Sequence, residues 1–244
     1  MQALTARDLL DIWEAGAAQP LAQRALWLLK AALPDRSYDE LAQWPIGQRD
    51  AQLLTLYERL FGSQLVSVAD CPQCGERLQL TLTVSEVRVS ANATTTARSF
   101  TTDGYSVQYR LPNSTDLLAL TTCADVESGR ALLLSRCVIS VQHDQVEQDL
   151  AAIPAHVSAA LTAHMAEADP QADVQLDLHC PACGRQWLAA FDVMTYLWSA
   201  INRWASRVLR DVHVLASNYG WSEADILSMT ATRRQLYLNL INGI

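Results

Sequence analysis

The stretch "CPQCG", residues 71–75, nearly recurs far downstream as "CPACG", residues 180–184. A C-x-x-C turn offers two thiolates to one metal ion. The proline after the first cysteine fixes the backbone. The glycine after the second permits the left-handed conformation that aims backbone amides at the sulfurs. Two such turns facing each other complete a tetrahedral four-thiolate site, the arrangement of a zinc ribbon. The spacing predicts one Zn2+ per chain, held by Cys71, Cys74, Cys180 and Cys183. Four thiolates leave no open position for water, so the ion is expected to be structural and not catalytic.

Outward from each knuckle the pattern alternates. In "QLVSVADCPQCGERLQLTLTV", residues 64–84, Leu65, Val66 and Val68 precede the cysteines, and Leu78, Leu80, Leu82 and Val84 alternate after them. "DVQLDLHCPACGRQWLAAFDV", residues 173–193, repeats the plan with Val174, Leu176 and Leu178 on one arm and Trp187 and Phe191 on the other. Each reads as a hairpin with the cysteines at its tip. The rival is a redox dithiol, whose first cysteine sits at a helix N-terminus that lowers its pKa. Strand pattern and not helix follows both knuckles, and two matching knuckles are hard to explain as two independent redox sites. The 105 residues between them, 75–179, far exceed the roughly 15–20 of a short ribbon. Closure entropy grows only slowly with loop length, so a long insertion between the halves is tolerable.

The flanks are helical. "TARDLLDIWEAG" has Thr5 as cap and Gly16 as stop; "PLAQRALWLLKAALP" opens at Pro20. Ser37 and Glu40 form a capping-box pattern, and "PIGQRDAQLLTLYERLFG" ends at Gly62. Residues 90–104 are rich in Thr, Ser and Ala and read as a loop or poorly packed ribbon. "YSVQYRLPNSTDLLAL" reads as strand, turn and a helix capped by Ser114 or Thr115. "DVESGRALLLSRCVISV" and "IPAHVSAALTAHMAEAD" read as two more helices. A long helix spans about 192–219, with Met194, Leu197, Ile201, Trp204, Val208, Val212, Leu215 and Tyr219 at three- and four-residue steps. Ser222 and Thr230 cap two short helices after Gly220.

Half of the chain is apolar and the net charge is −8. This argues for a globular protein and against a nucleic-acid groove, which needs clustered Lys and Arg. No apolar run is long enough for a membrane span, and "MQALTARDLLDIWEAG" reads as an amphipathic helix and not a signal peptide. The expected compartment is a reducing cytoplasm, where spaced cysteines serve metals or catalysis more often than disulfides. No G-x-S-x-G, H-E-x-x-H, Walker or G-x-G-x-x-G pattern is present, so no enzyme, small-molecule substrate or further cofactor is expected. Cys123 and Cys137 read as buried small residues. His179 reads as exposed or as an outer neighbour of the metal, His156 and His164 as solvated, and His213 as packed beside the long helix's apolar stripe.

Two regions carry a resemblance: "LAQWPIGQRDAQLLTLYERLFGSQLVSVADCPQCGERLQLTLTV", and the stretch from "HCPACGRQW" to "YGWSEADILSMTATRRQLYLNLI". Together, over residues 40–84 and 178–242, they resemble the phage base plate protein family: baseplate hub assembly proteins of contractile-tailed phages and of extracellular contractile injection systems. Met229 stands where that family's closing pattern has Leu. The resemblance implies a non-enzymatic role in building the baseplate, with baseplate or hub proteins as partners. It leaves open whether the chain stays in the particle or leaves as a chaperone.

The expected fold is α+β. Its parts are helices over 1–63, a split zinc ribbon from 64–89 and 172–191, an α/β insertion over 90–171, and helices over 192–244. The alternative function is a zinc-ribbon adaptor in transcription or nucleic-acid handling. Against it, the hairpin arms carry Asp70, Glu76, Glu86, Asp173, Asp177 and Asp192 against Arg77, Arg88 and Arg185. The expected working surface is the ending, with Trp221 as apolar anchor and Arg233 and Arg234 as polar partners. In the competing reading Trp221 packs on its own long helix and the arginines are solvated.

Overall fold

The computed structural model describes residues 1–89, 96–241 and 243. Four helices come first: α1 (Ala6–Gly16), α2 (Leu21–Ala32), α3 (Tyr38–Ala42) and α4 (Ile46–Phe61). Their starts follow from local chemistry. The Thr5 hydroxyl accepts the Asp8 amide at 3.1 Å while the Asp8 carboxylate accepts the Thr5 amide at 2.9 Å, a reciprocal cap. Ser37 accepts the Glu40 amide at 3.1 Å, but the Glu40 carboxylate pairs with Arg36, so that box is half made. Gly62 ends α4 at φ 90°, in the region that favours glycine.

These helices pack on α9 (Val193–Tyr219). Leu26, Leu28, Leu29, Leu53, Leu54 and Leu56 meet Met194, Leu197, Trp198 and Ile201 in one buried cluster. Each such side chain contributes about 1.5–3 kcal/mol by leaving water. The approach of α1 to α9 depends on Gly16, where a Cβ would lie 2.5 Å from the Trp198 ring. Farther along α9, Val208, Val212 and Leu215 form a second cluster with Leu10, with α10 (Glu223–Ser228) and with α11 (Ala231–Ile241).

Between α4 and α9 lie two hairpins and an inserted unit. β1 (Gln64–Asp70) pairs with β2 (Arg77–Thr83), which leads into the one-turn α5 (Val84–Val87). The insertion holds an antiparallel sheet, in order β3 (Arg98–Thr102), β4 (Tyr105–Tyr109), β5 (Val138–His143) and β6 (Val146–Glu147). It also holds α6 (Ser114–Leu120), α7 (Val126–Cys137) and α8 (Ala155–Ala168). Val107, Tyr109, Cys137, Val141 and Leu161 fill its own core. The second hairpin, β7 (Val174–His179) with β8 (Gln186–Phe191), then runs into α9. The chain is α+β, as expected.

The insertion is tied to the helical body by hydrogen bonds. The Gly47 amide donates to Asp169 Oδ2 at 2.9 Å, and a Cβ at Gly47 would fall 1.8 Å from Asp169 Oδ1. The Ile46 amide donates to the Pro112 carbonyl at 3.1 Å, and Asn113 Nδ2 to Gln43 Oε1 at 2.9 Å. The Val89 amide donates to Gln171 Oε1 at 2.7 Å.

Several local expectations are corrected. "VISV" is not the end of a helix: α7 stops at Cys137 and β5 begins, because β4 supplies the pairing partner, with Val107 opposite Val141. α6 is capped by Asn113, whose Oδ1 accepts the amides of Thr115 and Asp116 at 3.0 and 3.1 Å, and not by Ser114 or Thr115. Within the stretch 90–104, residues 98–102 form β3; residues 90–95 lie outside the described residues.

Candidate metal centre

Each knuckle closes its hairpin in the same way. The Cys71 amide donates to the Glu76 carbonyl at 2.8 Å and the Gly75 amide to the Cys71 carbonyl at 2.9 Å. In the second knuckle the corresponding bonds, Cys180 to Arg185 and Gly184 to Cys180, are 2.8 and 3.0 Å. Gly75 and Gly184 have φ of 75° and 74°, the left-handed turn that brings the chain back under its own sulfurs.

The two tips meet. The sulfurs of Cys71, Cys74, Cys180 and Cys183 lie within 4.8 Å of one another. Cys71 Sγ is 3.7 Å from Cys183 Sγ, and Cys74 Sγ is 3.6 Å from Cys180 Sγ. A tetrahedron with Zn–S bonds of about 2.3 Å has S···S edges of about 3.8 Å, so the donor set fits such an ion. All four cysteines are free; Cys71 and Cys180 are buried, Cys183 is half-buried and Cys74 is exposed.

Without a cation three of the thiols differ sharply in how readily they ionise. Burial works against the Cys71 thiolate, but the amides of Cys74 and Gln73 and the thiols of Cys74 and Cys180 bring it down to about 6. The Glu76 amide favours the Cys74 thiolate, yet burial and the neighbouring sulfurs outweigh it and push that thiol up to about 12. Cys183 is also raised, its Arg185 amide outweighed by burial and by Cys180 and Cys71. The Cys71 thiolate is favoured while Cys74 and Cys183 resist ionising; a bound divalent cation would remove that conflict.

The hairpins are aimed by the helical body. The Tyr196 hydroxyl, on α9, accepts the Val66 amide at 2.7 Å and donates to the Val66 carbonyl at 3.1 Å. Tyr57, on α4, donates its hydroxyl to the Gln64 carbonyl at 2.7 Å. The Tyr196 ring packs against Tyr57 and Phe191, so one side chain touches both hairpins' roots. Sequence patterning gives no sign of these roles; in a helical stripe a tyrosine reads as core.

The other singled-out residues lie elsewhere. His179 is exposed beside Cys180. His164 is half-buried against Phe100, at 5.0 Å between rings, and is not simply solvated. His213 is exposed on α9 and does not pack as expected. Cys137 is buried, its thiol pushed up to about 12 by burial and the Asp116 carboxylate. Cys123 is half-buried. In the ending, Trp221 stacks on Tyr219 at 4.4 Å and meets Tyr237 edge-on at 4.8 Å. Arg234 is buried and donates to the Met229 carbonyl at 2.8 Å, while Arg233 lies 5.8 Å from the Tyr237 ring. Trp221 and Arg234 thus hold this segment together.

The family model described as T4 bacteriophage base plate protein matches residues 18–197. That stretch is most of the chain, and the chain belongs to the T4 bacteriophage base plate protein family. Membership supports a structural role in the phage baseplate. The match contains both knuckles and the whole insertion, and it ends within α9, before the closing helices on which part of the sequence resemblance rested. Comparisons with curated proteins and with solved structures gave no match. No described helix is long and apolar enough to cross a membrane.

Proposed function

We propose that this chain is a non-enzymatic assembly or structural protein of the baseplate of a contractile phage tail or contractile injection system. One structural Zn2+ on Cys71, Cys74, Cys180 and Cys183 staples it. The observation that carries the reading is the family match over residues 18–197, which spans both halves of the four-thiolate cluster. In this reading 64–89 and 172–191 form the metal-held ribbon, 90–171 the inserted lobe, and 1–63 and 192–244 the supporting body. Its partners are baseplate or hub proteins met in the cytoplasm during assembly. The acidic balance of the hairpin arms supports a protein partner over a nucleic-acid one.

The test is a deletion of the gene, complemented with the wild-type chain or with the Cys71→Ser/Cys180→Ser double variant. Contractile particles should be lost on deletion, restored by the wild type, and restored poorly by the variant. Particles that form and fire without the protein overturn the assembly role. A purified chain whose four thiols alkylate freely and which carries no metal overturns the staple.

A further inference from the structure

We infer that the outer edge of β1 is a docking edge for an extended segment of a partner protein, which adds as a strand in the cleft between the two hairpins. This deepens the structural role proposed above by naming the chemistry of the partner. The Cys71 amide bonds to Glu76, and the Val84 amide donates to the Ser63 carbonyl. In an antiparallel pair such bonds alternate along the strand. Leu65, Ser67 and Ala69 therefore face β2, while Gln64, Val66, Val68 and Asp70 turn their backbone groups outward.

The first part of that outward edge is already met. Tyr57 bonds the Gln64 carbonyl and the Tyr196 hydroxyl bonds both backbone groups of Val66. Helix side chains stand in for a neighbouring strand there. The next outward pair, on Val68, has no hydrogen-bond partner among the described residues. It opens into a cleft of about 390 Å³ whose other wall includes Ala190 and Phe191 of β8. The Cys180–Arg185 bond sets the same alternation in the second hairpin, so Leu188 and Ala190 turn their backbone groups away from β7.

The side chains match that use. Val66, Val68 and Leu188 are 49%, 48% and 67% exposed. Folded proteins usually guard such edges with Lys, Pro or a bulge; "QLVSVAD" has no Lys or Pro and pairs with β2 without a register shift. Unpaired backbone groups with alternating apolar side chains select one kind of occupant, an extended chain with apolar residues at alternate positions. Charge narrows it further. On the hairpins Asp70, Glu76 and Asp177 outnumber Arg77 and Arg185, while Asp192 and Arg203 balance within the cleft lining; this small acidic excess, on a chain with net charge −8, favours a segment with basic flanks and disfavours a second copy.

The test pans a display library of short random peptides on the purified full-length protein, then synthesises the enriched ones. The expected sequences alternate apolar residues and carry Lys or Arg. Binding should slow amide exchange at Val68. It should fall about tenfold when the peptide amides on one edge are N-methylated, and again in Val68→Pro. Val68→Thr, which keeps the amide and the strand shape, should bind; it shows that the hairpin remains intact. Enrichment of no alternating sequence, equal binding of N-methylated peptides, or self-association of the chain through β1 overturns the inference. Because only purified protein is used, its failure leaves the assembly role to the deletion experiment.

Discussion

Gly47→Ala should loosen the chain at a point far from the cysteines. Gly47 sits in the first turn of α4, and its amide donates to buried Asp169 at 2.9 Å. A Cβ would stand 1.8 Å from Asp169 Oδ1, where contacts under 3.0 Å essentially never occur. The carboxylate must retreat by more than an ångström, and the Ala172 backbone nitrogen also crowds the same Cβ at 3.1 Å. Losing a hydrogen bond to a charged acceptor costs about 1.5–3 kcal/mol. Over-packing costs about 1–3 kcal/mol more, and better helix propensity returns up to about 1 kcal/mol. The net is about 2–5 kcal/mol, a fall in Tm of about 5–20 °C at this chain length. Metal affinity should fall as well. α4 feeds β1, and Asp169 starts the turn that feeds β7, so the clamp sets the relative placement of the two hairpins. Thermal melting followed by circular dichroism and competition with a zinc chelator measure both effects. In an Asp169→Ala background the same alanine should cost much less, since only the 3.1 Å approach to the Ala172 backbone nitrogen remains. A Tm change below about 2 °C for Gly47→Ala, or equal losses in both backgrounds, would refute the clamp.

Cys74→Ser and Cys180→Ser should each abolish stoichiometric metal. Cross-linking a loop of about 100 residues is worth at most about 4.7 kcal/mol in chain entropy, so a loss of about 2–5 kcal/mol is expected while the helical signal persists; unchanged melting in both variants sinks the staple. Burial alone would raise the Asp116 carboxyl, but Arg110, the Asn113 amide and Arg136 outweigh it and hold it below the usual range. Its stabilisation is therefore present above about pH 4 and lost as pH falls through the depressed folded value. Asp116→Asn should cost about 1–3 kcal/mol at neutral pH and flatten the acid limb of a stability–pH curve; an unchanged acid limb contradicts it. Gly16→Ala should cost about 1–3 kcal/mol by driving a Cβ to within 2.5 Å of Trp198, read by melting and by tryptophan fluorescence.

The knuckles were legible because their chemistry is local: Pro and Gly set the turn, and alternation sets the arms. The helix starts at Thr5, Ser37 and Ser222 were legible for the same reason, each hydroxyl accepting an amide three residues on. The strand β5 was not, because "LLLSRCVISV" is apolar without a clear period, and only pairing with β4 makes its second half a strand. Nothing in residues 169–172, "DPQA", marks them as buried. Asp169 and Gln171 are buried where α4 and Val89, just past α5, supply amide donors from more than 80 positions away. Tyr196 carries the same limitation: its hydroxyl serves a strand 130 positions earlier. In the ending, Trp221 stacks on Tyr219 of the long helix, the competing reading of that residue, whereas Arg234 is buried on the Met229 carbonyl and not solvated.

The separation of the two knuckles also has a history in time. Residues 75–179 must be synthesised after Cys74 before Cys180 can appear. At about 5–20 residues per second this takes roughly 5–20 s. Through that interval the nascent chain carries a half-site of two thiols. One of them belongs to Cys71, which relies for part of its environment on sulfurs not yet made. The first hairpin thus waits on the last third of the chain. If an ion closes the cluster as proposed, it does so only once Cys183 has cleared the ribosome, and metal capture would then be a late step in folding.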